Sequence, residues 1–250
     1  MSGLAIIGGS GLDQLDGIED SHDESVTTPY GDPSDSLTIG SLHGEKIIFL
    51  ARHGGAHTIP PHRINYRANL WALRHSGVDT VISVCAVGGI RADIKPASVI
   101  IPDQIIDYTW SREHTLYDED LESVTHIDFT EPYCEQLRQA LIEAAREAGI
   151  DVTPSATYGA TQGPRLETAA EIRRKENDGC DIVGMTGMPE AALARELGLC
   201  YAVIAVSAND AAGRGKGPIE MDEIMSNLEI GMRHVRQILK RVLEKRVSPR

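Results

Sequence analysis

Leu4-Ala5-Ile6-Ile7-Gly8-Gly9-Ser10-Gly11-Leu12 sets four apolar residues against a turn of small ones. A short apolar run stopped by glycines reads as a buried strand followed by a tight turn. The same punctuation recurs downstream. Residues 46–51 read as a second strand, closed by Arg52-His53-Gly54-Gly55, and residues 80–85 as a third, closed by Gly88-Gly89. Residues 98–101, 155–160, 181–184 and 201–207 continue the series. Between them, residues 65–75, 132–148, 167–177 and 189–197 carry helical spacing, with Pro189 placed for the first turn of its helix. In residues 132–148, Tyr133, Leu137, Leu141 and Ala144 share one face. A last helix over residues 219–243 places Met221, Ile224, Met225, Leu228, Met232, Val235, Leu239 and Val242 on one apolar stripe. This alternation, without repeats or a linker, predicts one α/β domain over residues 1–250, a central mixed sheet flanked by helices. Functional side chains are expected in loops at strand ends. Residues 107–129 are polar and irregular, a length that usually marks a functional or mobile segment.

Composition narrows the function. The 250 residues carry a formal charge of −13, with 41% apolar and 24% charged residues. A chain this long buries a sizeable core. The acidic balance argues against coating nucleic acid, which needs clustered Lys and Arg, but leaves room for one small anion held locally. No apolar run is long enough to span a membrane, and the first residues lack a basic leader, so a cytoplasmic protein is expected. Cys85, Cys134, Cys180 and Cys200 are scattered and form no CxxC pair. They are expected to be reduced thiols, with no metal site.

The glycine turn is not a dinucleotide motif, because GxGxxG from Gly9 would need glycine where Gln14 stands; no P-loop pattern occurs either. What remains is a turn able to offer backbone N–H groups and the Ser10 hydroxyl to an anion. Arg52-His53 follows a strand with five apolar residues among its six, and arginine supplies a fork that fits phosphate.

Taken together, these segments resemble the trimeric purine nucleoside phosphorylases and methylthioadenosine phosphorylases. The matching pieces are Ile7-Gly8-Gly9-Ser10-Gly11-Leu12, Ala51-Arg52-His53-Gly54 and Val84-Cys85-Ala86-Val87-Gly88-Gly89. Gln162-Gly163-Pro164-Arg165-Leu166-Glu167-Thr168, Gly184-Met185-Thr186-Gly187-Met188-Pro189-Glu190 and Ala208-Asn209-Asp210 follow in the family's order. The resemblance implies attack of phosphate on the anomeric carbon of a purine nucleoside. Such a reaction needs an anion held near the ribosyl cation and donors aimed at the departing base. It requires no metal or redox cofactor; phosphate is a co-substrate. By resemblance, Ser10, Arg52, His53, Thr186 and the Ala86 backbone bind phosphate, and Met185 lies under the ribose. Catalysis is expected to rest on Asn209, Glu167 and His53. Two departures stand out: Cys85 replaces a usual Thr or Asn, and Leu166 replaces a usual Phe against the base.

The resemblance also separates substrates. Glu167 and Asn209 match the carboxylate and amide of oxopurine-specific members, and Asp210 stands beside them. Aminopurine-specific members carry a small hydroxyl residue at the first place. At the second they carry an Asp, with another Asp two residues on, where this chain has Asn209 and Ala211. A carboxylate accepts from the N1–H of hypoxanthine but has no partner on the bare N1 of adenine. At the 5′ end, Met221 stands where enzymes for ordinary nucleosides use His, with Met225 one turn on. His126 matches a residue that a neighbouring subunit contributes there, implying a homotrimer with shared sites. The two pockets together imply 5′-methylthioinosine as the substrate, cleaved to hypoxanthine and 5-methylthioribose 1-phosphate. The alternatives are a methylthioadenosine phosphorylase, a general 6-oxopurine nucleoside phosphorylase, a hydrolytic nucleosidase and a non-catalytic nucleoside-binding protein.

Overall fold

In a computed structural model, which describes residues 3–119 and 122–247, the apolar runs become strands of one eleven-stranded sheet. In chain order the elements are β1 (Gly3–Gly8), β2 (Glu19–Glu24), β3 (Leu37–Leu42), β4 (Glu45–Ala51), α1 (Tyr66–His75), β5 (Val78–Gly89), β6 (Val99–Ile100) and β7 (Gln104–Asp107). They continue with α2 (Glu135–Glu147), β8 (Val152–Thr153), β9 (Thr157–Ala160), α3 (Ala169–Asn177), β10 (Ile182–Gly184), α4 (Gly187–Glu196), β11 (Cys200–Asp210) and α5 (Met221–Val247).

β5 organises the sheet. Its first part pairs in parallel with β1 on one edge, and β11 pairs with it in parallel along the other. Once β1 has ended at Gly8, the antiparallel strand β10 takes its place beside Gly88 and Gly89. β4 lies parallel to β1 on the far side, so the exits of β1, β4, β10 and β11 converge on the second half of β5. Both faces of β5 are covered, which is why its sequence reads as a continuous apolar run. One layer beneath the sheet is built by α1 and α4 with Leu70, Leu73 and Leu193. The other is built by α2 and α5 with Leu141, Met232, Val235 and Leu239. Each such side chain contributes roughly 1.5–3 kcal/mol of burial.

Three differences from the sequence reading have physical causes. The edge pair β2–β3 was not legible, because β2 (Glu-Asp-Ser-His-Asp-Glu) is exposed throughout and pairs by an antiparallel ladder to β3. The helix read from Glu167 begins at Ala169 instead. A capping box places the Thr168 side chain on the Glu171 N–H and the Glu171 carboxylate on the Thr168 N–H, which leaves Glu167 in the preceding turn. The expectation of four reduced thiols is corrected: Cys134 and Cys200 form a disulfide, with Cα atoms 5.1 Å apart, while Cys85 and Cys180 are free and buried. The pair joins the residue before α2 to the start of β11 across 66 positions, a proximity that no local spacing encodes. Closing so long a loop restricts the unfolded chain by about 2–4 kcal/mol. Dithiothreitol should therefore lower the Tm of the wild-type chain and leave that of Cys134→Ser unmoved; equal shifts in both would disprove the bridge's contribution.

Candidate active site

The convergent strand exits enclose a cavity of about 670 Å³. It is lined by Ser10, Arg52, His53, Ala86 and Thr186, by Met185, Leu166, Glu167 and Asn209, and by Met221 and Met225. Eleven of the thirteen residues singled out from sequence thus share one space. Asp210 and His126 do not.

Arg52 forms the floor. It is 1% exposed, and its Nε and Nη2 donate to the two carboxylate oxygens of Glu190 at 2.7 and 3.1 Å. Nη2 also donates to Ser83 Oγ (2.6 Å) and Nη1 to the Val84 carbonyl (2.9 Å). Glu190 in turn accepts from Ser83 Oγ and from the Tyr201 hydroxyl. Burial works against the charge on Arg52, but Glu190 more than offsets it and holds the guanidinium protonated. Four of five N–H groups are therefore spent on the protein, leaving one on Nη1. That nitrogen lies directly under Gly9, where a Cβ would come within 2.6 Å of it, so only glycine lets the turn close over the guanidinium. The resemblance assigns phosphate charge to Arg52. The structure makes it half of a neutral pair that offers the cavity one hydrogen bond.

His53 is also buried. Its Nδ1 lies 2.8 Å from the Ile59 carbonyl, which can only accept, so Nδ1 carries the hydrogen. Burial, then the adjacent Arg52, lowers its pKa to about 4, so the ring is neutral near pH 7. Its ring stacks on His57 at 4.5 Å, a cavity-lining residue the sequence reading missed. Cys85 lines the same end, and burial pushes its thiol up to about 12, so it stands there uncharged.

The opposite end carries the polar pair. Thr161 Oγ1 donates to one oxygen of Glu167 at 2.7 Å, which fixes the carboxylate and leaves its second oxygen available. Asn209 sits at the end of β11 opposite Gly88, past a register shift that follows Ser207. Its Nδ2 donates to the Asp210 carbonyl at 2.6 Å, leaving one N–H and the amide oxygen. Asp210 contributes its backbone to this arrangement; its carboxylate lies against Gly215, outside the cavity lining. Neighbouring residues of a strand point to opposite faces, which explains why adjacent Asn209 and Asp210 do not share the cavity. Between the two ends, Met185 packs its sulfur against Gly163, whose φ of +63° and missing side chain make that contact possible.

The third wall is apolar. Met221 and Met225 are 63% and 57% exposed, while Leu228 and Met232 further along α5 are buried. The stripe thus changes partners along the helix: its first turns face the cavity and its remainder the core. Leu166 is 44% exposed at the rim. His126 lies exposed in the irregular segment after β7 and does not line this chain's cavity.

That same segment supplies a residue not anticipated. Arg112 is buried and donates from Nε to Gln162 Oε1, from Nη1 to the Met185 and Met188 carbonyls, and from Nη2 to the Thr161 and Gln162 carbonyls. It ties the exits of β9 and β10 together behind Met185. Its only sequence signal was an arginine in an otherwise acidic loop.

Residues 4–244 match the model of the phosphorylase superfamily, and the chain belongs to that family. It is 51% identical over 243 residues to a probable S-methyl-5′-thioinosine phosphorylase of Pseudomonas syringae, covering 97% of this chain and 99% of the relative. It is 47% identical over 234 residues to a 6-oxopurine nucleoside phosphorylase of Pyrococcus furiosus, covering 92% and 87%. In structure it resembles a methylthioadenosine phosphorylase of Schistosoma mansoni solved with adenine, with a TM-score of 0.95, 34% identity, and coverage of 100% and 93%.

Two measurements test the floor. Glu190→Gln leaves Arg52 buried without its counter-charge and should lower unfolding stability by about 3 kcal/mol in urea; a loss below ~1 kcal/mol would show that the pair is dispensable. His53 binds its proton more readily unfolded, near 6.5, than folded, near 4. Its contribution is therefore present above pH 6.5 and is lost as pH falls toward 4, by about 3 kcal/mol. His53→Gln should lack that share of the acid destabilisation.

Proposed function

We propose that this member of the phosphorylase superfamily cleaves S-methyl-5′-thioinosine with phosphate, releasing hypoxanthine and 5-methylthioribose 1-phosphate. The observation that carries the reading is the pairing, in one cavity, of the available Glu167 oxygen with the thioether wall of Met221 and Met225. The first selects a base bearing N1–H, and the second selects a 5′ substituent that needs no hydrogen-bond partner. The name of the Pseudomonas syringae relative agrees with both selections, and that of the Pyrococcus furiosus relative with the first.

In the proposed reaction, phosphate lies against Ser10, the Ala86 backbone, His53, Thr186 and the remaining Arg52 N–H. A phosphate oxygen forms the new bond to the anomeric carbon as the bond to the purine nitrogen breaks, and its electron pair leaves with the base. Asn209 donates its remaining N–H to the base as negative charge develops there, and Glu167 holds N1–H and fixes the ring. Met185 supports the ribose from below. No metal or organic cofactor takes part in this scheme.

The exposed methionine wall and the position of His126 outside this chain's own cavity support a homotrimer in which a neighbouring copy closes the 5′ end. The proposed location is cytoplasmic. No helix among the described residues is long and apolar enough to cross a membrane.

Purified protein offered methylthioinosine, methylthioadenosine and inosine separately should release hypoxanthine from the first, only with phosphate present, and act poorly on the others. Preferred cleavage of methylthioadenosine would overturn the base assignment. Met221→His should shift kcat/KM toward inosine by about tenfold or more, and Asn209→Asp should shift preference toward aminopurines by a similar factor. Unmoved ratios would remove those residues from specificity.

A further inference from the structure

At the phosphate end Arg52 is balanced by Glu190 and His53 is neutral. The titratable groups lining the cavity are Asp13, Arg52, His53, Cys85, Glu167 and His57. His57 is built into this end by three contacts. Its Nδ1 lies 2.5 Å from Asp13 Oδ1, its ring stacks on His53, and its Nε2 lies 3.4 Å from Ser10 Oγ. Asp13 and Ser10 both come from the turn after β1, so that turn and the segment after β4 are joined through the imidazole. On the segment's other side, Asp35 is engaged by the Gly55 N–H.

The hydrogen count on this chain of contacts has two solutions. The Asp13 carboxylate can only accept, so Nδ1 carries a hydrogen. With His57 neutral, Nε2 is bare, the Ser10 hydroxyl donates to it, and Ser10 shows only lone pairs to the cavity. With His57 protonated, Nε2 donates to Ser10, and the Ser10 hydrogen is released toward the anion. The second arrangement suits an oxyanion twice over, by charge and by donor.

We propose that His57, oriented by Asp13, is a positioning residue of the phosphate site, and that binding of a tetrahedral oxyanion takes up a proton at its imidazole and turns Ser10 into a donor. This deepens the reading above and rests on that end being the phosphate cradle. By linkage, an anion that binds the protonated form better raises proton affinity by the same factor. Affinity should therefore fall as pH rises and the imidazole loses its proton.

The test is calorimetric titration of sulfate and of inorganic phosphate into the protein without nucleoside, in two buffers of different ionisation enthalpy. Sulfate carries no proton near neutrality, so any uptake it causes is on the protein. Wild type should take up a fraction of a proton with sulfate, and the KM for phosphate, expressed per dianion, should rise with pH. His57→Gln should abolish uptake with sulfate, flatten that profile and weaken anion binding about tenfold at the acid end. Asp13→Asn, at a part-exposed site, should diminish uptake and supplies a second variant. Sulfate binding to wild type without buffer-dependent heat, or uptake retained in His57→Gln, would overturn the inference while leaving the cradle intact. Absence of binding by either anion would overturn both. The base and 5′ assignments are read separately, from product analysis.

Discussion

The Arg52–Glu190 pair is the constraint from which the rest of the site follows. Two opposite charges, each about 1% exposed, must satisfy one another and all but one of their donors inside the protein. They do so by recruiting four elements: Arg52 at the exit of β4, Ser83 and the Val84 carbonyl on β5, Glu190 in α4, and Tyr201 on β11. A misplaced strand would strand a charge in the core, at a cost of several kcal/mol. The pair therefore fixes the register of the strands whose exits form the cavity. It also leaves the guanidinium, which looks from sequence like the anion's counter-charge, one N–H to offer the cavity.

On that frame three chemistries are assembled from separate stretches of chain. The turn after β1 and the segment after β4 supply hydroxyl, imidazole and backbone groups at one end. The turn after β9 and the end of β11 supply the carboxylate and amide at the other, and the first turns of α5 supply sulfur. The exchange of β1 for β10 along the edge of β5 makes room for all of them. A strand that kept one neighbour throughout would have no opening there. Arg112 completes the assembly by donating to five oxygen acceptors around the exits of β9 and β10 and to the Tyr66 hydroxyl, so an irregular segment performs a rigid element's task.

Much of this was legible in the sequence. Parallel strands buried on both faces leave apolar runs ending in glycine, and the site residues cluster at those ends. What was hidden depends on pairing at a distance. β2 leaves no apolar trace because it is exposed throughout. Cys134 and Cys200, Asp13 and His57, and Arg52 and Glu190 are 66, 44 and 138 positions apart. Asp210 was placed in the cavity because a list of adjacent residues carries no facing; the shift in β11 after Ser207 decides which of the two side chains enters. By spacing alone the methionines of α5 fit a core stripe and a pocket wall equally well; the exposure of Met221 and Met225, against the burial of Met232, separates the two.

The unequal anchoring of the cavity's walls has a consequence for how it breathes. Amides of Thr80–Ser83, in the first half of β5, are locked between the ladders to β1 and β11. They belong to the part of a protein that exchanges hydrogen only when the whole molecule opens. The first turn of α5 follows an exposed glycine-rich loop, residues 213–218, and presents two methionines to solvent. It belongs to the part that frays at small cost. The anion and the base thus meet a surface already set before they arrive, whereas the sugar's 5′ end meets one that settles around it. Selectivity at the first two is a matter of fixed geometry; at the third it is drawn from the entropy of the wall.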